Sequence, residues 1–511
     1  MNTPAFRGLL ILILGGALAF RAASLGLRPM HHDEANQALK FGLLLEKGEY
    51  RYDKSDHHGP SLYYLSLPLA KALGKNTLAA LDETTIRMVP ALFGAGLILL
   101  FLFFLPDLGY AAVLFAGLFA ALSPALVYYS RFYIQEMVFV FFVVGWLGAL
   151  WRYHRRPAAG WASAAGFFGG MMFATKETSV IIFAASAAAL VLANAVQKKE
   201  RSAARQKTSL SRVRHLVLGF GLAALTAALF FSSFFSNPKG ILNSIAAFSG
   251  YFGKAGSPGF HVHPPLYYFG LLTYAKSGGL VWSEALVLAL AFFGLFAGLR
   301  KRSAVILFLG VNTLLTAAVF SLIPYKTPWN LLPFYAGFIL LAGCGTAYLF
   351  ESLRRIQGKA PAVILLAIGV FHLGWQSHQA NFRYFADPRN PWAYAQTIPD
   401  FLKLIERVDD IAKVAPPGKN ILIKVLSRPS ETWPLPWYLR DFDQVGYWTD
   451  WKAAGELADV PLIVASQDQA AGIEPLLNGH YQTEYYGLRP DVLLTLFIRH
   501  DLWDEYLKIR K

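Results

Sequence analysis

Long apolar runs alternate with short polar segments over residues 1–377 of the chain. A helix needs about 20 predominantly apolar residues to cross a hydrocarbon core about 30 Å thick, and about 17 to 25 are tolerated. By this criterion the pattern predicts about eleven transmembrane helices. The runs lie at 6–27, 86–105, 110–127, 136–151, 158–174, 178–196, 215–235, 281–299, 303–323, 330–350 and 360–377. The third to sixth runs are short and rich in Gly and Ala, so merged or re-entrant segments are the alternative there.

The pattern changes after residue 377, where the chain becomes polar and rich in Pro, Trp and Tyr. Residues 400–414 have the periodicity of a helix. Three short apolar segments are typical of strands, at 421–427, 461–466 and 492–500. A domain of about 130 residues can support its own core. We therefore predict an all-α polytopic membrane domain at residues 1–377 and a small α/β domain at residues 378–511.

The composition agrees with a membrane protein. Hydrophobic residues make up 55% of the 511 residues and charged residues 15%, and the mean hydropathy is +0.39. A soluble protein carries about 25% charged residues, so much of this surface does not face water. The single cysteine, Cys344, excludes an intramolecular disulfide and a metal site built from cysteines.

The net charge is +15, and the positions of the basic residues indicate the membrane topology. In a soluble protein it would suggest nucleic acid, but here the basic residues cluster between apolar runs, and we expect no nucleic-acid partner. If the N-terminus is cytoplasmic, every cluster falls on the cytoplasmic side. The clusters lie at 152–156, 198–214, 300–302 and 354–359. This orientation predicts an inner-membrane protein whose C-terminal domain is extracytoplasmic.

The first apolar run allows a second interpretation. Ala17-Leu18-Ala19 resembles a cleavage site, so a removed signal peptide is the alternative to a membrane anchor. Arg21 follows directly, and the run is long enough to remain as a helix. Cleavage would leave the orientation of the following segments unchanged.

The first predicted external loop, residues 28–85, begins with two adjacent acidic residues, Asp33 and Glu34. They precede residues 38–47, whose pattern is typical of a helix lying along the membrane surface. One interpretation is structural, because Asp33 would cap this helix and Glu34 would complement its dipole. The other is a pair of carboxylates placed for chemistry just outside the bilayer.

The same loop contains the segment Asp56-His57-His58-Gly59-Pro60-Ser61-Leu62-Tyr63-Tyr64. A turn leading into a helix explains Gly59 and Pro60. It does not explain two histidines and an aspartate. The candidate binding residues of this segment are His57, His58, Tyr63 and Tyr64.

Three more predicted external turns place charged residues next to the bilayer, against the usual excess of basic residues on the cytoplasmic side. Snorkelling cations and interfacial aromatic residues explain any one of them. All three face the side that holds the acidic loop, which favours a shared site. The candidates are Arg131 and Glu136 in the first turn, Lys176 in the second, Tyr325, Lys326 and Trp329 in the third, and Arg87 at the outer end of the second run.

The order of these features resembles the GT-C superfamily of membrane glycosyltransferases, which includes protein O-mannosyltransferases and the aminoarabinose transferase of lipid A. Asp33-Glu34 resembles the catalytic acidic pair of that superfamily. Residues 56–64 resemble its HPPLYY-type segment, with His-Gly-Pro in place of His-Pro-Pro or Lys-Pro-Pro. Ser130-Arg131 followed by Glu136 resembles its Ser-Arg motif followed by an acid. The HHDEA, HHGP and PYKTPWN segments suggest a subgroup named flippase-activity-associated proteins, and the resemblance covers about residues 1–377.

The resemblance implies an enzyme that transfers sugar from a polyprenyl phosphate, generally with inversion, on the external face. Asp33 would then be the general base for an acceptor hydroxyl, and Glu34 would orient it or contact the sugar. Aromatic residues would line the sugar or prenyl site. The cations that would stabilise the departing phosphate are Lys326, Arg131 and Lys176, with Arg87 as a further candidate. The expected partners are membrane lipids, the lipid-linked sugar and an acceptor that is a glycan, a lipid or a protein.

A divalent metal ion is a further hypothesis, because histidine with nearby carboxylates suits zinc or manganese. The candidate ligands are His32, Asp56, His57 and His263. Their spacing matches no recognised ligand pattern, so interfacial histidines are the alternative. No cofactor is implied with certainty.

Two other functions remain open. A flippase, or an accessory protein of one, would move lipid-linked sugars; transporters tend to show paired repeats and charges near the midplane. Here the charges cluster at one face and no repeat is visible. A structural protein whose C-terminal domain recruits partners would need neither the acidic pair nor the outer cations. The pattern therefore favours an enzyme.

Overall fold

The computed structural model describes residues 3–54, 58–197, 209–255, 261–353, 356–477 and 479–510. Over these ranges the chain is mostly helical, with a small mixed sheet near its C-terminal end. The helices of the first part are α1 (Thr3–Ala22), α2 (His32–Lys47), α3 (Ser61–Ala72), α4 (Glu83–Leu100), α5 (Leu105–Leu122), α6 (Pro124–Ser130), α7 (Gln135–Arg155), α8 (Ala159–Phe173), α9 (Ser179–Gln197), α10 (Ser209–Phe231), α11 (Lys239–Ala255), α12 (Tyr267–Thr273), α13 (Ala285–Arg300), α14 (Ala304–Leu322), α15 (Leu332–Ser352) and α16 (Ile356–His378). Two short strands, β1 (Ala275–Ser277) and β2 (Leu280–Trp282), form a hairpin before α13.

Seven helical segments of the described ranges are long and apolar enough to cross a membrane. They are Thr3–Ala22, Glu83–Leu122, Gln135–Arg155, Ser211–Phe231, Ala304–Leu322, Pro328–Ser352 and Lys359–Arg383. The predicted count of eleven spans is therefore not confirmed. Two predicted runs share Glu83–Leu122, and three others coincide with helices too short for this criterion. Those three are α8, the part Ser179–Ala195 of α9, and α13.

Gly109 interrupts the segment Glu83–Leu122. Its φ is +81° and its ψ is 167°, a conformation that residues with a side chain rarely adopt. The interruption separates the two predicted runs, and α4 and α5 pack against each other.

Helix α15 forms the centre of the bundle. Buried positions make up 94% of its apolar window, against 6% in the window of Ser211–Phe231. A Cβ added at Gly345 would lie 1.9 Å from the Leu290 carbonyl oxygen, so the glycine allows α15 to approach α13 closely. The peripheral helices expose large apolar side chains, as expected of a lipid-facing surface.

After α16 the chain forms a turn of π-helix at Gln379–Arg383. Residues 400–510 then form a compact unit that we call the C-terminal module. Its elements are α17 (Asp400–Val414), β3 (Ile423–Leu426), α18 (Pro429–Thr432), α19 (Leu435–Tyr438), β4 (Val445–Trp448), β5 (Leu462–Ser466), α20 (Gln467–Ile473), β6 (Tyr481–Arg489), β7 (Val492–Arg499) and α21 (His500–Ile509). The strand order is β4-β3-β5-β7-β6, with β3 parallel to β4 and β5, and β7 antiparallel to β5 and β6.

The predicted helix at 400–414 corresponds to α17, and the three predicted strands correspond to β3, β5 and β7. The sequence pattern did not predict β4 and β6. Strand β4 is a partly exposed edge strand that contains Gly446, and β6 mixes tyrosines with polar residues, so neither forms an apolar run. Buried residues line both faces of the sheet, with α17 and α21 on one side.

The C-terminal module contacts the helical bundle beside the start of α2. The Trp437 indole nitrogen donates to Glu83 Oε1 at 2.9 Å. The Met30 amide, just before α2, donates to the Tyr438 hydroxyl at 2.9 Å. These contacts place the module next to the acidic pair of the first loop.

Candidate active site

Helix α2 begins with a capping box. The Asp33 amide donates to His31 Nδ1 at 3.0 Å, and the His31 amide donates to Glu34 Oε2 at 3.1 Å. Reciprocal bonds of this kind satisfy donors that the first helical turn leaves unpaired. The capping residue is therefore His31, and not Asp33 as the structural interpretation expected.

The Glu34 carboxylate is fully buried against the Arg87 guanidinium. Arg87 Nε and Nη2 each donate to one carboxylate oxygen at 2.7 Å, and the Tyr133 amide donates to the same carboxylate at 2.8 Å. Burial alone would raise the pKa of Glu34, but the charges of Arg87 and Arg28, with the hydrogen bonds from Arg87 and Tyr133, together outweigh burial and hold the pKa below its ordinary value. Other Arg87 donors bind carbonyls of the loop between α1 and α2. Glu34 and Arg87 therefore anchor the start of α2.

Asp33 has the opposite environment. Its side chain is 40% exposed, and one carboxylate oxygen lies 3.9 Å from His31 Nδ1. That nitrogen already accepts the Asp33 amide, so it carries no proton to share with the carboxylate. The Asp33 carboxylate is fixed at a helix terminus and remains open to a proton donor.

The turn at residues 324–330 pairs with the loop that contains His261. Val262 forms an antiparallel bridge with Tyr325, and the Lys326 amide donates to the His261 carbonyl at 2.8 Å. The third predicted turn is thereby held to a loop far from it in the sequence.

Lys326 points its ammonium group into this junction. The side chain is buried, and Nζ donates to the carbonyls of His263 at 2.9 Å and Ile323 at 2.6 Å. Burial lowers the pKa of Lys326. An ammonium group has three donors, so one of them is unused in the contacts of the described residues.

Tyr394 joins two histidines of the same junction. Its hydroxyl lies 3.0 Å from His261 Nδ1 and 3.2 Å from His263 Nε2. Burial lowers the pKa of His261, and the charge of Asp33 partly opposes it. Burial, and to a smaller extent the charge of Asp33, raises the pKa of Tyr325 to about 12. Asp33 thus faces the same region as this junction. Tyr394 was not predicted from the sequence because no motif surrounds it.

Lys176 links the other two predicted turns to this one. Its buried ammonium donates to Glu136 Oε1 at 2.7 Å and to Asn330 Oδ1 at 2.8 Å. The structure therefore brings all three turns together, as the sequence predicted. The Lys176 charge is partly neutralised by the ion pair with Glu136.

His58 and Gly59 of the first loop pack on the same turn. His58 Nδ1 lies 2.8 Å from Oε2 of Glu177, the residue that follows Lys176 in the chain. A Cβ added at Gly59 would lie 2.1 Å from the Ala174 carbonyl oxygen, so only glycine allows this approach. The sequence analysis did not assign Glu177 a role.

The predicted metal site stays a prediction, since Asp56 and His57 lie outside the described residues. Within the described ranges, no group of three or more His, Cys, Asp or Glu side chains could hold a metal ion. The other two candidate ligands have different neighbours. His32 lies beside Trp433, with ring centroids 5.7 Å apart, whereas His263 stacks on Tyr267 at 4.1 Å.

Tyr63 and Tyr64 support the site from the interior. The buried Tyr63 hydroxyl donates to Gln37 Oε1, which also accepts from Gln135 Nε2 at 2.8 Å. The Tyr64 hydroxyl is hydrogen-bonded to Ser233 Oγ. These contacts join α3 to its neighbours.

Arg131 faces away from the junction. Its guanidinium donates to carbonyls at the C-terminal end of α1, including Arg21 at 2.9 Å and Ser24 at 3.1 Å. It also lies over the Phe382 ring, 4.6 Å from the centroid. Carbonyls at a helix C-terminus lack intrahelical donors, and Arg131 satisfies them.

His31 is a further site residue that the sequence analysis did not assign. Its buried ring lies 5.9 Å from the Trp329 ring and 5.2 Å from the Phe132 ring. Burial lowers the pKa of His31, which favours the neutral ring, and Nδ1 accepts from the Asp33 amide, so Nε2 carries the proton. Nε2 has no hydrogen-bond partner among the described residues. A buried donor without a partner is rare, so His31 Nε2 is available to a ligand.

Comparison with known protein families gives one match. Residues 13–239 match the family model described as dolichyl-phosphate-mannose-protein mannosyltransferase. This stretch includes Asp33, Arg131 and Lys176 and ends before Lys326. A search of the curated proteins found no match.

Two solved structures have a similar fold. ArnT from Cupriavidus metallidurans bound to undecaprenyl phosphate has a TM-score of 0.65 and 17% identity, and the match covers 96% of this chain and 98% of that one. Archaeal oligosaccharyltransferase AglB from Archaeoglobus fulgidus, in complex with an inhibitory peptide and a dolichol-phosphate, has a TM-score of 0.54 and 12% identity over 98% of this chain and 77% of that one. The chain therefore has an ArnT-like fold and is an integral membrane protein. The predicted flippase-associated subgroup is not shown by these matches.

Proposed function

We propose that this chain, a membrane glycosyltransferase of the GT-C class that uses a lipid-phosphate sugar donor, transfers the sugar to an acceptor hydroxyl with inversion. The reaction takes place where α2 meets the C-terminal module. The observation that carries the proposal is the contrast between two adjacent carboxylates. Glu34 is buried and paired with Arg87, whereas the Asp33 side chain is 40% exposed.

Asp33 acts as the general base. A hydroxyl group is a weak nucleophile and needs a base within hydrogen-bond reach. The acceptor oxygen forms a bond to C1 of the sugar while the bond between C1 and the phosphate oxygen breaks, and the hydroxyl proton passes to Asp33. Attack on the face opposite the phosphate inverts the configuration and releases the polyprenyl phosphate.

Lys326 and His31 stabilise the departing phosphate. Lys326 has one unused donor in the described contacts, and His31 offers the Nε2 proton. Both groups are buried, so hydrogen bonds to a developing charge are worth more there than in water. Lys176 holds Asn330, which belongs to the same turn as Lys326.

Arg87 and Arg131 have a structural role in this scheme, unlike the role in phosphate binding that the sequence analysis gave them. Each guanidinium is occupied by protein oxygen atoms: Arg87 by Glu34 and loop carbonyls, and Arg131 by carbonyls at the end of α1. Releasing either group to bind a phosphate would leave buried acceptors unpaired.

We place the site on the extracytoplasmic face. Helix α7 begins at the site, beside Glu136, and ends with Arg155 in the basic segment 152–156. Helix α14 begins next to the basic residues 300–302 and ends near Lys326. Basic segments are enriched on the cytoplasmic side, which supports a site at the opposite end of both helices.

The test compares wild type with Asp33→Asn in membranes supplied with radiolabelled polyprenyl-phosphate sugar. We expect wild type to transfer label to an acceptor and the variant to lose at least about 100-fold in rate, because general bases contribute about 10² to 10⁴. Asp410→Asn, which changes an exposed carboxylate of α17, is the matched control and should retain full activity.

Full activity of Asp33→Asn at normal abundance would remove Asp33 from the mechanism. A flippase would instead move the lipid-linked sugar across sealed vesicles without breaking its bond to phosphate. Translocation with no label in any acceptor would therefore contradict a transferase.

A further inference from the structure

The C-terminal module packs beside the start of α2, next to Asp33. Trp433, which precedes α19, lies beside His32 with ring centroids 5.7 Å apart. Tyr438 accepts the Met30 amide at 2.9 Å and keeps this segment against the start of α2. His32, Asp33 and Trp433 are all partly exposed, so the junction is open to a ligand.

Arg489, at the end of β6, contacts the segment that leads to Trp433. Its Nη2 donates to the Ser430 carbonyl, which uses one of five guanidinium donors in the described contacts. Burial lowers the pKa of Arg489, and the charges of Glu431 and Asp33 oppose this effect. Arg489 is therefore close enough to both carboxylates to be influenced by them.

We propose that Trp433, Glu431 and Arg489 form the acceptor subsite opposite Asp33, and that the acceptor is a carbohydrate. This inference rests on the proposed function, because it assigns the acceptor side of that reaction.

The composition of the subsite fits a sugar. An indole ring offers a flat apolar face with a negative quadrupole to the C–H groups of a sugar ring. A carboxylate and a guanidinium next to it accept from and donate to hydroxyl groups. The charges of Glu431 and Asp33 act on Arg489, so the subsite combines both signs of charge, as suits neutral hydroxyl groups.

The position of the subsite separates the acceptor from the donor. The phosphate of the donor is attached to a prenyl chain and must remain near the bilayer, where Lys326 and Lys176 follow apolar helices. Arg489 and Trp433 belong to the C-terminal module, and Trp433 lies beside His32, the residue before Asp33. A hydroxyl bound by the module would approach Asp33 from the module, and inversion requires that this approach be opposite the departing phosphate.

The experiment measures sugar transfer in membranes that contain the native acceptor, with radiolabelled polyprenyl-phosphate sugar as the probe. We compare Arg489→Gln, Arg489→Lys and Trp433→Leu with wild type. Arg428→Gln is the matched control, since Arg428 is an exposed arginine of the same module that pairs with Asp468. Binding of undecaprenyl phosphate to each purified full-length variant reports on the donor site.

We expect Arg489→Gln and Trp433→Leu to raise the KM for the acceptor by about tenfold or more, which is the loss of one good interaction. Arg489→Lys should recover part of this loss, and Arg428→Gln should match wild type. Undecaprenyl phosphate binding should be equal in all five proteins. Label should appear in a carbohydrate fraction after the membranes are digested with protease and delipidated.

Each contrary result has a separate meaning. The subsite is overturned if the KM for the acceptor is unchanged in Arg489→Gln and Trp433→Leu, or if these variants also lose undecaprenyl phosphate binding. Label in a protein or lipid fraction overturns the acceptor class. Absence of transfer by wild type contradicts the proposed function itself, and the acceptor subsite with it.

Discussion

Glu34 and Arg87 form a bidentate ion pair in which both side chains are fully buried and both N–O distances are 2.7 Å. The pair connects the first turn of α2 to α4. Because Asp33 precedes Glu34 in the same turn, this pair also fixes where the Asp33 carboxylate lies.

Glu34→Gln should destabilise the protein strongly. The substitution leaves the Arg87 charge buried without a counter-ion, which costs about 3 to 5 kcal/mol. Thermal unfolding in detergent or nanodiscs would show a lower melting temperature, together with lost activity. Asp33→Asn should instead keep the wild-type melting temperature, because its side chain is 40% exposed.

The control for this prediction is an exposed ion pair of α17, Asp410 with Lys413, whose removal should cost about 0 to 1 kcal/mol. A Glu34→Gln protein as stable as this control would show that the pair does not anchor α2.

Lys326→Gln should lower the rate of transfer by about 100- to 1000-fold, the cost of removing one donor to a developing charge. The loss should appear mainly in kcat, because the charge develops as the phosphate departs. Lys413→Gln, an exposed lysine of the C-terminal module, is the matched control. An unchanged kcat for Lys326→Gln would exclude Lys326 as a phosphate ligand.

The sequence predicted the helical part of the fold from apolar run length, but it did not predict which runs are long enough to span a membrane. Gly109 illustrates the reason: its positive φ breaks one long segment, and composition alone does not show where a helix turns. In the C-terminal module, α17 was predicted because its apolar positions repeat at helical spacing. Strand β6 was missed because its tyrosines and polar residues do not form an apolar run.

The candidate site was predictable in outline only. Charges placed beside apolar runs led to Lys176, Lys326 and Glu136, and the structure brings these turns together. Arg131 carries the same signal, yet its donors bind carbonyls of α1, and the sequence does not reveal which acceptors surround a cation. His31 was not assigned because its significance depends on a missing partner, which only the packing shows.

Gly59→Ala should disrupt the packing of His58 and Gly59 on the Lys176 turn. The new Cβ would lie 2.1 Å from the Ala174 carbonyl oxygen, so the backbone must move, at a cost of about 1 to 3 kcal/mol. Activity and melting temperature should both fall. Gly160→Ala, also near a helix start but with no atom within 4 Å of the added Cβ, should be neutral or slightly stabilising. Equal behaviour of the two variants would show that the loop does not pack as described.

His31 should make the stability of the protein depend on pH in the acidic range. Burial lowers the pKa of His31 below its ordinary value of about 6.5. The unfolded chain therefore binds a proton there that the folded chain does not. The contribution of His31 to the free energy of unfolding is present above about pH 6.5 and is lost as the pH falls toward the folded-state pKa.

We expect His31→Asn to reduce the fall in melting temperature between about pH 7.5 and 5. Asparagine can still cap α2, because its side-chain oxygen accepts an amide as His31 Nδ1 does, but it does not titrate. Part of this decrease in melting temperature should remain, since burial also lowers the pKa values of His261 and His263. His480→Asn, at an exposed histidine of the C-terminal module, should show the same decrease in melting temperature as wild type. If His31→Asn follows the same pH curve as wild type, the pKa of His31 is equal in the folded and unfolded chains, and burial does not favour the neutral imidazole.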